Sequence, residues 1–124
     1  MILKNYEIIN YINKINNTFS MDETAYPISF IFYLKKNIAN LLQYAEEIEK
    51  CRQQIGEKYG IYDESTSSFI IEEDKKIEAQ QELQELMNIE QDVSLLKIKI
   101  KDFEDRISLS YAQMDTIMFM LTDE

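Results

Sequence analysis

A run of apolar residues at alternating spacings of four and three constrains this chain more than any other feature of its sequence. The run lies between Pro27 and Gly60 and fills eight positions, seven of them apolar: Leu34, Ile38, Leu41, Ala45, Ile48, Arg52, Ile55 and Tyr59. This spacing predicts one long helix with a coiled-coil-like seam, about 50 Å in length. Pro27 suits the first helical turn, and Gly60 suits a left-handed C-terminal cap.

The two halves of this long helix differ in composition. Residues 30–34 are apolar nearly all round the helix, so we expect burial on more than one side. The second half carries only the narrow seam and should be buried on one side. Gly56 lies inside the helix and weakens its last turn.

Further elements are predicted on both sides of the long helix. Apolar residues at helical spacing predict a helix over 5–18, followed by a loop at 20–24. The apolar pairs around 61–62 and 69–71 flank a polar stretch and indicate a small β-hairpin. A helix over about 73–91 has too few apolar residues to stand alone, so we expect it to fold back antiparallel on the long helix, with Ile77 near Ile55.

The C-terminal third contains a predicted strand and a final helix. Leu96, Ile98 and Ile100 alternate with lysines, which is the period of a strand whose partner would be 1–3 or 69–71. A helix over about 111–121 begins with a capping box of Ser110 and Gln113. Its predicted buried face is Met114, Ile117, Met118 and Leu121. Together these elements predict a single α+β domain over 1–124 that is predominantly helical: a long antiparallel helical hairpin with a small β element, plus N- and C-terminal helices.

Composition limits the chemistry that the chain can perform. Its 124 residues include no histidine, one cysteine, two glycines and one proline. Without histidine, Ser-His-Asp and Cys-His catalysis and histidine metal ligation are excluded. One cysteine can form neither an intrachain disulfide nor a thiolate cluster. We therefore expect a protein that is not an enzyme and needs no cofactor.

Negative charge is the second strong signal. The net charge is −10, and residues 63–92 hold ten acids and two lysines, a net charge of −8. Phosphate backbones and anionic membranes repel such a chain, so we expect no direct nucleic-acid binding and no membrane binding. The candidate partner-binding residues in this region are Asp63, Glu64, Glu72, Glu73, Asp74, Glu78, Glu82 and Glu85.

The spacing of four of these acids places them along one edge of a helix. Asp74, Glu78, Glu82 and Glu85 follow one another at intervals of four, four and three. One interpretation is a docking edge for a partner with a basic surface. The alternatives are a solvated helix face, or an edge that Lys50, Arg52 and Lys58 of the long helix neutralise within the molecule.

Other residues that could carry chemistry have simpler structural interpretations. The carboxylates of 63–64, 72–74 and 102–105 could bind a hard cation, but none of these groups matches an EF-hand. Cys51 lies beside the seam and is expected to be a buried structural thiol. The aromatic residues are expected in the core, and any that are exposed among Tyr33, Tyr44 and Tyr62 are candidates for protein contacts.

Several stretches resemble an uncharacterised family of small proteins from bacteriophages and prophages of Gram-positive bacteria. They cover much of the chain in the same order: KNYEIINYI at 4–12, YPIS at 26–29, LKKN at 34–37, EKYG at 57–60, DE at 63–64 and ELQEL at 82–86. The resemblance implies a phage origin and action in the host cytoplasm. No signal core is visible in the N-terminal residues, which agrees with that expectation.

Three functions follow from these observations. The first is a phage accessory protein that binds and inhibits a host protein with a basic surface, in the manner of anti-defence, anti-CRISPR-like inhibitors. The second is a virion assembly factor, such as a tail or capsid chaperone, or a minor structural protein. The third is a homodimer formed through the seam of the long helix.

Overall fold

Four α-helices, three pairs of short strands and three 3-10 turns make up the regular structure of the described residues. The computed structural model describes residues 1–19, 26–103 and 105–123. Within them the helices are α1 Asn5–Thr18, α2 Ile28–Tyr59, α3 Lys76–Met87 and α4 Tyr111–Ile117. The strands are β1 Ile2–Lys4, β2 Gly60–Asp63, β3 Ser68–Ile71, β4 Glu90–Asp92, β5 Ile98–Lys99 and β6 Leu121–Thr122. The predicted α+β class, predominantly helical, is confirmed, whereas the predicted loop at 20–24 lies outside the described residues.

The long helix α2 has the predicted extent and uses the predicted seam. Pro27 is its N-cap residue, and Leu34, Leu41 and Ile48 of the seam are buried. These side chains pack inside the protomer, so the seam is not available to a second copy. Gly56 does not end the helix, which continues to Tyr59.

Gly60 ends α2 in a different way from the one predicted. Its φ is −139°, which is extended rather than left-handed, and it already belongs to β2. A Cβ atom here would lie 2.6 Å from the carbonyl oxygen of Ile70 on the neighbouring strand. Glycine is therefore needed for close backbone approach and not for a left-handed cap.

The first half of α2 is buried on one side only, which corrects the expectation of burial on several sides. Phe30 and Leu34 face the core, but Ile28 is 81% exposed and Phe32 is 60% exposed. α1 and the 93–103 segment pack on this face of α2, and α4 packs on α1, so that all of them enclose one core. The opposite face is left to solvent.

The core lies between α1, the first half of α2 and the C-terminal third of the chain. Its members are Leu3, Ile8, Ile12, Ile15, Phe30, Leu34, Leu41, Val93, Ile98, Phe103, Ile117 and Met120. The Phe30 and Phe103 rings meet edge to face at 5.5 Å between centroids, and Tyr11 stacks on Phe119 at 3.8 Å. These contacts leave the second half of α2, β2, β3 and α3 as an arm outside the main core.

The predicted hairpin is confirmed at the tip of this arm. β2 and β3 pair antiparallel, with Ile61 opposite Ile70 and Tyr62 opposite Phe69. A single 3-10 turn over Glu73–Lys75 then leads into α3, which returns along α2. This arrangement is the predicted antiparallel helical hairpin.

The register of α3 corrects two expectations. The helix ends at Met87 rather than near residue 91, because residues 90–92 are needed as β4, which pairs with β1. Ile77 does not pack near Ile55 but is 74% exposed. Ala79 is the buried residue of α3 instead. Ile77 lies two positions earlier on the helix and therefore points to the opposite side, toward solvent.

The predicted strand over 96–101 is mostly wrong. Only Ile98–Lys99 is a strand, and it pairs in parallel with β6, not with residues 1–3 or 69–71. Just before this strand, the side chain of Asn37 forms two hydrogen bonds with the backbone of Leu96. The Asn37 Oδ1 atom accepts from the Leu96 N–H at 2.8 Å, and the Asn37 Nδ2 atom donates to the Leu96 carbonyl oxygen at 2.9 Å. A buried amide therefore replaces a neighbouring strand at this point.

The final helix begins as predicted and ends early. Ser110 accepts a hydrogen bond from the Gln113 N–H, and Gln113 completes the capping box. α4 stops at Ile117 and gives way to a 3-10 turn, which changes the direction of the side chains that follow. As a result Met118 is 59% exposed, contrary to the prediction, and Met120 is fully buried in its place.

Candidate functional site

The acidic arm formed by α2, the hairpin and α3 is the candidate site. Lys58 of α2 and Glu82 of α3 approach to 2.7 Å between the Nζ and Oε1 atoms, which ties the two helices together. The eight candidate acids lie along the returning half of this arm, from Asp63 at the end of β2 to Glu85 in α3. Their environments differ, and the structure divides them into two groups.

Four of the eight carboxylates are engaged within the molecule. The Asp63 carboxylate accepts hydrogen bonds from the Ser65 N–H at 3.1 Å and from the Ser65 and Thr66 hydroxyls. It therefore holds the hairpin turn. The other three form ion pairs: Glu72 with Lys75 at 3.2 Å, Glu73 with Lys76 at 2.7 Å and Glu82 with Lys58.

The other four acids remain open to a partner. Glu64, Asp74, Glu78 and Glu85 are exposed, and no ion pair among the described residues includes any of them. Internal neutralisation by α2 is thus limited to Lys58, since Arg52 pairs with Glu49 of its own helix at 3.3 Å. Glu78 and Glu85, two turns apart on α3, form the centre of the open set.

Hydrogen bonding alters the acid–base properties of the engaged groups. The hydrogen bond from Lys58 holds the pKa of Glu82 below its ordinary value, and the same contact raises the pKa of Lys58. The Ser65 hydroxyl and N–H lower the pKa of Asp63. A carboxyl whose pKa is lowered by folding stabilises the folded state at neutral pH, and that contribution is lost as the pH falls through the lowered pKa.

We expect the substitution Lys58→Met to raise the pKa of Glu82 toward its ordinary value. The reason is that the substitution removes the hydrogen-bond donor that favours the charged carboxylate. The measurement is a pH titration of the Glu82 side-chain carboxyl followed by NMR. Lys50→Met, which removes another exposed lysine from the same helix, should leave this titration unchanged. An unchanged Glu82 pKa in the Lys58→Met variant would show that the contact does not persist in solution.

A shallow groove runs along the acidic side of the arm. It is lined by residues of both helices: Cys51, Gln54, Ile55, Lys58, Glu82, Glu85, Leu86 and Ile89. The expectation of a buried thiol at Cys51 is wrong, because this side chain is exposed. It lies three residues after the buried Ile48, at the margin of the seam, where α3 does not cover it.

A larger groove lies on the opposite side of the arm, between α2, the hairpin and α3. It has a volume of about 1260 Å³, and its walls include Ile55, Gly56, Phe69, Ala79 and Leu83. Sequence analysis did not predict this groove. The relevant signal in the sequence is Gly56, because an isolated glycine inside a helix, where alanine is favoured, indicates a position with little room for a side chain.

The remaining candidate residues are distributed as follows. Tyr62 is 52% exposed and stays a candidate for protein contacts, while Tyr33 and Tyr44 are half-buried. No cluster of potential metal ligands occurs among the described residues, and residue 104 of the 102–105 group lies outside them. Within the same described ranges, no helix is long and apolar enough to cross a membrane.

Comparisons with protein-family models, with curated proteins and with solved structures find no match for this chain. The geometry of the arm is therefore the basis for proposing a function.

Proposed function

We propose that this protein is a non-enzymatic phage accessory protein whose acidic surface around residues 63–92 binds a basic surface of a host protein and inhibits that protein. The observation that carries the proposal is the set of exposed carboxylates that form no ion pair among the described residues, Glu64, Asp74, Glu78 and Glu85, of which the last two lie on α3. The host cytoplasm is the proposed place of action. The resemblance to small phage proteins motivates the biological setting, and the acidic arm supplies the physical means.

The energetics of the arm favour a basic partner. Like charges on successive turns of a helix destabilise it by a few tenths of a kcal/mol per pair. Lysine or arginine residues of a partner remove this repulsion, and complementary charge also increases the rate of association. α3 packs on α2 through the buried Ala79, with the exposed ion pair of Lys58 and Glu82 beside it, and so presents the open acids on a fixed surface.

The proposed inhibition is a competition for a basic surface of the host protein. A basic surface that normally holds nucleic acid or another acidic ligand is occupied when the acidic arm binds to it. The protein then competes directly with that ligand, and no chemical step is required. Defence nucleases and their regulators have surfaces of this kind and are the leading targets.

We expect the double substitution Glu78→Lys and Glu85→Lys to reduce capture of the host partner at least about tenfold, because it replaces attraction with repulsion. The measurement is affinity capture from the lysate of infected cells, quantified against the wild-type chain. Glu82 is left unchanged, because its pairing with Lys58 supports the arm.

The matched control is the double substitution Asp102→Lys and Asp105→Lys. It changes the net charge by the same amount at two exposed acids far along the sequence from the arm. The control should capture as much partner as the wild-type chain does. Equal capture by the Glu78→Lys, Glu85→Lys variant, with an unchanged circular dichroism spectrum, would rule out the proposed contact.

A second candidate function, virion assembly, is favoured by the outer face of the hairpin. Ile61 and Ile70 form a cross-strand pair and are 65% and 59% exposed, which is a surface suited to apolar protein contacts. In that case the apolar pair would bind a structural protein and the acids would serve solubility. Mass spectrometry of purified virions separates the two functions, since an assembly component is found in the particle or its precursors and an inhibitor is not.

A further inference from the structure

A second stripe of residues runs along α2 on the side away from the core. Its members follow one another at intervals of four and three, and all of them are exposed: Ile28, Phe32, Lys35, Ala39, Leu42, Glu46, Glu49 and Gln53. This outer stripe is distinct from the inner seam that holds α2 to the rest of the protomer. It also has the repeat that two helices need to pack along their lengths.

The outer stripe is unusually apolar for a solvent-facing surface. Ile28, Phe32 and Leu42 are 81%, 60% and 43% exposed, and Ala39 is exposed between them. A helix that is apolar on every side is normally buried on every side. In the first half of α2 the protomer covers one side only, so a partner surface is needed for the other.

The distribution of charge along α2 indicates which partner fits. Lys35 and Lys36 are the only charged residues between Pro27 and Ala45, and three glutamates follow at 46, 47 and 49. The helix is therefore basic in its first half and acidic at its middle. A second copy of α2 running antiparallel brings the lysines of each chain beside the glutamates of the other, whereas a parallel copy would place like charges together.

In one antiparallel register, the outer stripe of one copy faces the outer stripe of the other copy along its whole length. A two-fold axis between positions 40 and 41 places Lys35 opposite Glu46 of the other copy, and Ala39 opposite Leu42. Small and large side chains then alternate across the axis, as helix packing requires. Phe32 lies opposite Glu49 of the other copy at each end of the central contact, and Glu49 is held by Arg52 of its own chain at 3.3 Å. Each pair occurs twice, as in any isologous interface.

We propose that two copies of this chain form an antiparallel dimer through the outer stripe of α2. The stripe extends from Ile28 to Gln53, about 37 Å of helix, so the pair buries on the order of 500 Å² per protomer. Interfaces of that size lie at the small end of specific complexes, and we expect a dissociation constant in the micromolar range. The dimer does not depend on the proposed function, since the open acids at Glu78 and Glu85 are on another helix.

The first test is sedimentation velocity over a range of chain concentrations. The wild-type chain is expected to change from monomer to dimer as the concentration rises. Phe32→Ser should raise the dissociation constant about 30-fold or more, because it removes the largest apolar side chain of the outer stripe from both ends of the contact. Ile61→Ser removes an equally exposed apolar side chain from the hairpin and should leave the dissociation constant unchanged. A wild-type chain that stays monomeric at every concentration, or a dimer that is indifferent to Phe32→Ser, overturns the proposal.

The second test uses charge to establish direction and register. Lys35→Glu and Glu46→Lys should each weaken self-association about tenfold or more, because each creates two repulsive pairs. Mixing the two variants restores both attractive pairs, so a heterodimer should form at least as tightly as the wild-type dimer. Recovery on mixing also shows that both variants are folded. Failure of the mixture to associate overturns the antiparallel register.

A third test is covalent and uses a Cys51→Ser background to remove the exposed native thiol. A chain with Ala39→Cys mixed with a chain with Leu42→Cys should form a disulfide-linked heterodimer under mild oxidation. In a parallel pair, the homodisulfides through position 39 or position 42 would dominate instead. Predominance of those homodisulfides contradicts the proposed arrangement.

Discussion

The substitution Asn37→Leu should lower the free energy of unfolding by about 2–4 kcal/mol, although it nearly preserves the volume of the side chain. Asn37 is fully buried on α2, and its amide bonds both the N–H and the carbonyl of Leu96. Leucine leaves both of these backbone groups without their partner in the protein interior. Urea unfolding gives the change, and Asn40→Leu provides the control, since Asn40 loses one hydrogen bond to Ser94 at the surface. We expect a loss below about 1 kcal/mol for the control.

The substitution Asn37→Asp adds a dependence on pH that packing alone cannot produce. The new carboxylate keeps the contact with the Leu96 N–H but places an acceptor against the Leu96 oxygen and the Met120 sulfur. Burial and this repulsion raise the pKa of the new carboxyl in the folded state. The loss in the free energy of unfolding is therefore largest near neutral pH and becomes smaller as the pH falls through that raised pKa. Unfolding at about pH 7 and about pH 5 should show partial recovery for Asn37→Asp, relative to wild type, and none for Asn37→Leu. Equal losses at both pH values would contradict the role assigned to the amide.

The same asparagine explains why the sequence pattern over 96–101 was misleading. Alternation of apolar and charged residues predicts an exposed strand with one buried face, and Ile98 is indeed buried. The pattern does not contain the information that a side chain of α2, 59 residues away in sequence, pairs with the backbone at Leu96. Long-range contacts of this kind are set by the packing of the whole domain. By contrast, the extent of α2 was predictable, because the apolar spacing, Pro27 and Gly60 are all local signals.

The acidic arm shows a similar division. Its location follows directly from the composition of residues 63–92. The pairs of Glu72 with Lys75 and of Glu73 with Lys76 could also have been predicted, since they are three residues apart in sequence. The pair of Lys58 with Glu82 required the register between α2 and α3, which the sequence does not determine when the apolar set of α3 is so small. The error at Ile77 has the same origin.

The second large effect is expected at Gly56, where the substitution Gly56→Ala should destabilise the protein by about 1–3 kcal/mol. In an ordinary helix this change is stabilising by about 0.5–1 kcal/mol, because alanine has less conformational freedom to lose. Here the new Cβ atom would lie 2.5 Å from Cδ2 and 2.7 Å from Cγ of the Phe69 ring. The ring must therefore move away from α2. This movement removes the contact that holds the hairpin to the helix and forms one wall of the large groove.

A double-mutant cycle separates this steric effect from helix propensity. In a Phe69→Ala background the ring is absent and only the Cβ atom of residue 69 remains, 3.0 Å from the new Cβ atom, so the loss caused by Gly56→Ala should become smaller by about 1–3 kcal/mol. Urea unfolding of the four chains gives the coupling energy, and the NMR signals of Tyr62, whose ring lies 5.4 Å from that of Phe69, report the release of the hairpin in the single variant. Stabilisation by Gly56→Ala in the presence of Phe69 would contradict the docking of the hairpin on α2. A much smaller loss in the Phe69→Ala background would show that the absence of a side chain at Gly56 is what lets the Phe69 ring pack on α2.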